Sequence, residues 1–239
     1  MRKLLAIVTI FLISWQFAYA KPIFNPFNTE ILKISGRNAT IKNSKDIVIG
    51  SSGIVTHTFK NGISTIVARV NVIKKEADTA TVRFEVFKLS AQDAFPKPGI
   101  LPAVGDKVTL NYLYDRALIV APNYKVYNEV TKHFKDMEWI HPDVVAAYLA
   151  KEFRPNPSRA TFREVCKINS AAIIFFALNN NGYFVDCNNF RTIKKVKTAR
   201  IKKAQAPFYT RVKNIETSWL NWDSSQINDY NSYYRSLIR

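Results

Sequence analysis

Cysteine and histidine are scarce in this chain: two and three residues respectively among 239. Two cysteines allow at most one internal bridge, which excludes a disulfide-dense scaffold. His57, His133 and His141 all lack metal-ligand spacing to a second His or a Cys, so no metal site is expected. Long apolar runs are also missing beyond the first twenty residues. Ala171 to Leu178 is too short for the ~20 residues of a spanning helix, which leaves no transmembrane segment there. Acidic residues are few, 18 against 35 Lys and Arg. The Gly50-Ser51-Ser52-Gly53 stretch is no phosphate loop, because no Lys-Ser/Thr follows it and it sits between strands. Asp136, Glu138 and Asp143 cluster around one short strand, as solvated turns and caps do. No catalytic residues and no cofactor motif emerge. An enzyme using Cys166 with His133 or His141 would need a free thiol, and alkylation of the unreduced protein tests for one.

The opening, MRKLLAIVTIFLISWQFAYA, has the three parts of a signal peptide. Arg2 and Lys3 form a positive start, Leu4 to Trp15 an apolar stretch, and Ala18-Tyr19-Ala20 a small-residue cleavage site. No cysteine follows for lipid attachment. Cleavage after Ala20 predicts an exported protein of the periplasm or cell surface. In such an oxidising compartment Cys166 and Cys187 most simply form a disulfide, with two buried unlinked thiols as the alternative. Closing the intervening loop contributes roughly 3 kcal/mol in the chain-entropy model.

Residues 21–122 read as a β-rich unit. Glu30 to Ser35, Ala39 to Lys42, Asp46 to Ile49 and Ile54 to Phe59 are strand-like. So are Ser64 to Lys74, Thr81 to Lys88, Lys107 to Tyr112 and Arg116 to Val120. Asn61-Gly62 suggests a type I′ hairpin turn. Ile66, Ala68, Val70 and Val72 share one face of their strand. The set predicts an antiparallel barrel or sandwich. Residues 123–192 alternate helix and strand, predicting a small α/β unit. Its helices are Tyr124 to Phe134, Val144 to Phe153 and one capped by Ser158; Ala171 to Leu178 is a central strand covered on both faces. The expected class is therefore α+β, with the β half first.

Residues 193–239 form a basic tail with an amphipathic helix over Val212 to Arg239. Nine cations and no acid lie between Arg191 and Lys213. The candidate binding residues are Lys194, Lys195, Lys197, Arg200, Lys202 and Lys203, interleaved with Ile193, Val196 and Ile201. The net charge of +17 calls for an anionic partner. Nucleic acid is not expected for an exported chain; anionic lipid, cell-wall polymer or an acidic protein surface suits it better. Trp219, Trp222, Tyr230 and Tyr233 head an aromatic stripe that wants a partner surface, so the helix is expected to dock.

Five segments carry a family resemblance: GSSGIVTHTF (50–59), TATVRFEVF (79–87), VGDKVTLNYLYDRALIVAPN (104–123), EWIHPDVVAAYL (138–149) and IIFFAL…GYFVDC (173–187). In that order they resemble the N-terminal domain of the plasminogen-binding surface proteins of epsilonproteobacteria, over roughly Phe27 to Ile193. The resemblance implies a non-enzymatic envelope protein. Plasminogen kringles recognise lysine, and the family's binding is associated with a lysine-rich C-terminal region outside this domain. This chain ends at Arg239 after a short tail, so that region is expected to be absent, with Lys194, Lys195, Lys197, Lys202 and Lys203 as substitutes. The alternative is a periplasmic scaffold or envelope-assembly component docking through the basic segment and the helix. The Trp219-to-Tyr234 pattern is also similar to the first helix of NTF2-like modules.

If the leader is cleaved, intact-mass measurement of protein recovered from the cell envelope will show a chain beginning at Lys21. An intact Met1 on cytosolic protein would refute export.

Overall fold

The computed structural model of the chain describes residues 22–86, 99–198, 200–213 and 227–239. The predicted leader, Trp219 and Trp222 lie outside the described residues.

The first half is one seven-stranded antiparallel sheet in the order β1-β7-β4-β5-β6-β3-β2. Its strands are β1 (Phe27–Glu30), β2 (Lys33–Ser35), β3 (Asn38–Lys42), β4 (Ser52–Thr58), β5 (Ser64–Lys75), β6 (Thr79–Glu85) and β7 (Lys107–Leu110). The two edge strands, β1 and β2, are neighbours in sequence. A flat sheet would hold its edges roughly 29 Å apart, whereas the link from Glu30 to Lys33 spans at most about 10 Å. The sheet must therefore curl. Ile31 marks the switch: its N–H donates to the Asp106 carbonyl at 3.0 Å, while the Leu32 N–H donates to Thr40 across the seam at 2.8 Å. The Glu30-to-Ser35 segment is thus two strands that pair at opposite edges. Ile31, Ile41, Val55, Val70, Val82, Val108 and Leu110 fill the interior.

Local readings change where side chains or bulges intervene. Asp46 to Ile49 is a loop, not a strand. Lys75 Nζ donates to the Ser44 and Ile47 carbonyls at 2.8 and 2.6 Å, and Ser51 Oγ accepts from the Val48 N–H. Side chains thereby replace the ladder partners a strand would need. The Asn61-Gly62 turn is a three-residue connection in which Gly62 alone has positive φ, +81°, with its N–H donating to the Phe59 carbonyl. That is a type I turn closed by a left-handed glycine, not type I′. The β4–β5 register shifts between Val55 and Thr56, so Val67 joins the core and Ile66 turns outward.

The second half is a mixed sheet in the order β12-β11-β10-β8-β9. It comprises β8 (Arg116–Val120), β9 (Glu138–Ile140), β10 (Ile173–Leu178), β11 (Asn181–Asp186) and β12 (Thr192–Lys197). β8, expected with the first half, pairs in parallel with β9 and β10 here. Ala117 to Val120 is fully buried, the continuous apolar pattern of a parallel strand covered on both faces. All of β10 is buried too. Helix α1 (Tyr124–His133) covers one face through Val126, Val130 and its C-cap residue Phe134. The other face takes α2 (Pro142–Lys151), α3 (Arg159–Ile168) and α4 (Tyr230–Leu237). Ser158 and Thr161 form a capping box at the start of α3. The chain is α+β, and among the described residues no helix is long and apolar enough to cross a membrane. Cys166 on α3 is bridged to Cys187 after β11, with Cα atoms 6.4 Å apart.

A buried polar knot joins the halves. Asp186, wholly inaccessible, accepts from Ser52 Oγ, from Tyr114 Oη at 2.9 Å and from the Asn188 and Asn189 N–H groups at 2.9 and 3.0 Å. The Ser52 N–H donates to Tyr114 Oη at 2.7 Å. Burial, and then the Asp186 charge, push the Tyr114 phenol well above its usual pKa, so it stays a donor even at alkaline pH. Tyr114→Phe removes that hydroxyl from both halves at once. The variant is expected to lose about 1–3 kcal/mol, read as a lower urea midpoint with an unchanged denaturant slope.

A cationic edge as the candidate functional site

β12 is the outer strand of its sheet, and it carries the first three candidate lysines. Its register to β11 shifts between Phe184 and Val185. Ile193 is the extra residue, and the shift lets both Ile193 and Val196 reach the core under α1. Lys194, Lys195 and Lys197 remain exposed. They do not share one face. Lys194 and Lys197 rim a groove of about 690 Å³ beside α1, whose apolar floor includes Val130, Phe134 and Phe175. Lys195 lies over the Tyr183 ring on the opposite face, 5.5 Å from its centroid. Arg235 of α4 stacks on the same ring at 4.7 Å. Sequence reading missed Arg235; its only signal was a position beside Tyr234 on an amphipathic helix.

Arg200, Lys202 and Lys203 follow on a coil and are exposed. The coil is pinned to the ends of the central strands through its backbone. The Thr198 N–H donates to the Asn180 carbonyl at 3.2 Å and the Gln205 N–H to Pro122 at 2.7 Å. Asn179 Oδ1 accepts from the Ile201 N–H at 3.2 Å, and Asn123 Nδ2 donates to the Lys203 carbonyl at 2.9 Å. Ile201 packs against the core, which turns the neighbouring cations outward. None of the six candidate cations has a carboxylate within ion-pairing distance among the described residues. The edge is therefore a band of uncompensated charge.

Asp143 supplies the far anchor. Its carboxylate accepts from Thr210 Oγ1 at 2.8 Å, the Arg211 N–H at 2.9 Å and Arg211 Nε at 2.7 Å. Burial opposes its ionisation, but these donors outweigh burial and hold its carboxyl at about 2. A contact spanning 67 residues leaves no local trace, so a residue that reads as a solvated cap is in fact a tether.

The aromatic helix is shorter than its periodicity implies. Residues 211–213 and 227–229 are not helical, and α4 begins after Asp229, whose carboxylate caps it by accepting from the Ser232 N–H at 3.0 Å. Its stripe packs within the chain. Tyr230 Oη lies 3.1 Å from the Val120 and Ala177 carbonyls, Tyr234 Oη donates to Pro207 at 2.7 Å and Tyr233 Oη to Pro157 at 3.1 Å. Arg159 holds the helix end, donating to Leu237 and Ser236 carbonyls. Tyr230 and Tyr234 are buried in this chain's own core, and Tyr233 is half-buried beside them.

The three histidines are dispersed. His57 pairs with Asp106 at 2.7 Å on the barrel, His133 lies on the groove rim, and His141 caps α2 by accepting from the Asp143 N–H at 3.1 Å. Cys166 is engaged in its disulfide. Among the described residues no three His, Cys, Asp or Glu side chains gather closely enough to hold a metal ion.

The tether has a pH signature. With its carboxyl lowered in the fold, Asp143 contributes stability that is complete above its unfolded pKa near 4 and fades as pH falls toward about 2. Asp143→Asn is expected to lower stability at pH 7 by about 1–2 kcal/mol, with most of the difference from wild type gone at pH 2. Urea titrations at the two pH values measure it.

Residues 26–238 match the family described as Plasminogen-binding protein pgbA N-terminal. Similar relatives are the plasminogen-binding proteins PgbA of two Helicobacter pylori strains, J99 and 26695. Each is 26% identical over 198 residues, covering 81% of this chain. The alignment takes in 43% of each relative, so this chain corresponds to less than half of their length. With the match running through both sheets and the C-terminal helix, the chain belongs to the PgbA N-terminal family.

Proposed function

We propose that this chain is an exported, non-enzymatic envelope protein that binds plasminogen, or another host protein with lysine-binding sites, through its cationic edge. The observation that carries this reading is the band formed by Lys194, Lys195, Lys197, Arg200, Lys202 and Lys203: solvent-exposed, without partner carboxylates among the described residues, and held outward by a pinned backbone. A lysine-recognising partner needs ammonium groups that are free and presented. Supporting the reading, the family and its curated relatives are named for binding plasminogen. The disulfide suits an oxidising compartment outside the cytoplasm. Docking through the C-terminal helix has less support, because Tyr230 and Tyr234 are buried against this chain's own strands.

Charge attraction alone would bring many acidic partners to this edge, and such attraction is screened by salt. Lysine recognition differs in its sensitivity to a lysine analogue. The purified mature chain is expected to bind plasminogen in surface plasmon resonance, with the signal abolished by excess analogue at constant ionic strength. Replacing Lys194, Lys195, Lys197, Lys202 and Lys203 by Gln is expected to weaken binding about tenfold or more, equivalent to about 1.4 kcal/mol. Absence of binding, or equal binding by the Gln variant, would overturn the assignment.

A further inference from the structure

A second cationic feature lies away from the edge, in the crevice between the two sheets. Its barrel wall is the outer surface of β4 and β5: Ser52, Ile54, Ile66 and Arg69. Its other wall is α3, where Arg163 and Lys167 stand four residues apart and so on one helix face. The Cys166–Cys187 bridge ties that helix to the end of β11, beside Asp186, which bonds Ser52 of β4. The cavity measures about 330 Å³, and its lining contains three cations and no Asp or Glu.

The nearby acids are occupied. Asp186 accepts from Ser52, Tyr114 and two backbone N–H groups. Glu85 accepts from Asn71 and Asn188. Glu164 reaches Lys167 at only 3.4 Å and is itself exposed. Arg69 and Arg163 are underused by contrast, each making one side-chain hydrogen bond among the described residues. Arg69 donates through Nη2 to Ser52 Oγ at 3.2 Å, while its Nε is buried with no hydrogen-bond partner among the described residues. Arg163 commits Nε to the Asn188 carbonyl at 2.7 Å. Burial, with Arg239 and Arg159 close by, lowers the Arg163 pKa below the usual guanidinium value, against a smaller opposing pull from Glu85 and Asp186. Three cations lining one cavity, two of them guanidinium groups with spare donors, favour a bound anion held by charge-assisted hydrogen bonds.

We propose that this crevice is a phosphate-binding site for a small phosphate monoester or a phospholipid headgroup, held by Arg69, Arg163 and Lys167. Three cations without a lining carboxylate match a phosphate better than a single carboxylate, and two guanidinium groups suit its bidentate geometry. The volume exceeds that of a bare phosphate. Ile54, Ile66 and Leu113 give an apolar flank for the attached carbon skeleton. The site is separate from the lysine edge and does not depend on it.

Isothermal titration of the purified, disulfide-intact chain with glycerol 3-phosphate and with acetate tests the assignment. Co-sedimentation with phosphatidylglycerol vesicles, against phosphatidylcholine vesicles, tests the lipid source. Saturable one-to-one binding of glycerol 3-phosphate is expected, at least tenfold weaker in Arg69→Gln and unchanged in Lys202→Gln. Arg69-dependent sedimentation with phosphatidylglycerol that glycerol 3-phosphate competes away would assign the lipid headgroup; binding of the soluble ester alone would assign the free monoester. Should Arg69→Gln fail to fold by circular dichroism, Lys167→Gln, at a partly exposed position, decides through a severalfold loss. No phosphate binding, equal binding of acetate, or binding insensitive to the Arg69 and Lys167 changes would overturn the proposal.

Discussion

The carboxyl group of Asp186 sits at the meeting point of the two sheets, cut off from water. Burying such a group is tolerable only when each oxygen finds donors. The donors come from three separate places: Ser52 on β4, Tyr114 in the loop before β8, and the turn after β11. Satisfying Asp186 therefore docks the barrel onto the mixed sheet. Asn189 Nδ2 reinforces the seam by donating to the Gly50 carbonyl at 2.8 Å. At Gly50 a Cβ would lie 2.8 Å from Arg191, and its φ of +101° is one that side chains resist. The seam leaves room for a backbone there and little else.

That junction organises both cationic surfaces. It sets the turn from β11 to β12, from which the lysine-bearing edge strand departs, and it places α3 opposite the outer wall of β5. The disulfide acts beside it, joining α3 to the same turn. The two surfaces respond to different physics. The edge is exposed and salt-screened, whereas the crevice is partly enclosed and its charges interact through a lower dielectric.

Lysines on β12 also have a plain structural use. An edge strand presents unpaired backbone groups, and charged side chains discourage a second chain from adding to it. The same residues can protect the edge and present ammonium groups to a partner, since both uses require exposure. What raises the band above ordinary protection is its continuation along a coil whose backbone is tied down at Asn123, Pro122 and Asn179. Edge protection would end where β12 ends.

Much of this molecule was legible from sequence because the relevant forces act locally. Alternation of apolar residues marked the strands of the first half, a continuous apolar run marked β10, and Ser158 marked the start of α3. The family was recognisable in five ordered segments. A bridge was the simpler of two readings for the only two cysteines, and the structure forms it. Other features arise from contacts distant in sequence and had no local signature. β8 looks like any strand of the first half until its parallel partners β9 and β10 are known. Ile66 faces outward only because the β4–β5 register shifts. Asp143 is a tether only because Thr210 and Arg211 return to it, and Tyr230 finds its partners in carbonyls of β8 and β10. Periodicity tells a residue which face it shares with its neighbours in sequence; which surface meets that face, and which charges are left unpaired, depends on how the whole chain closes.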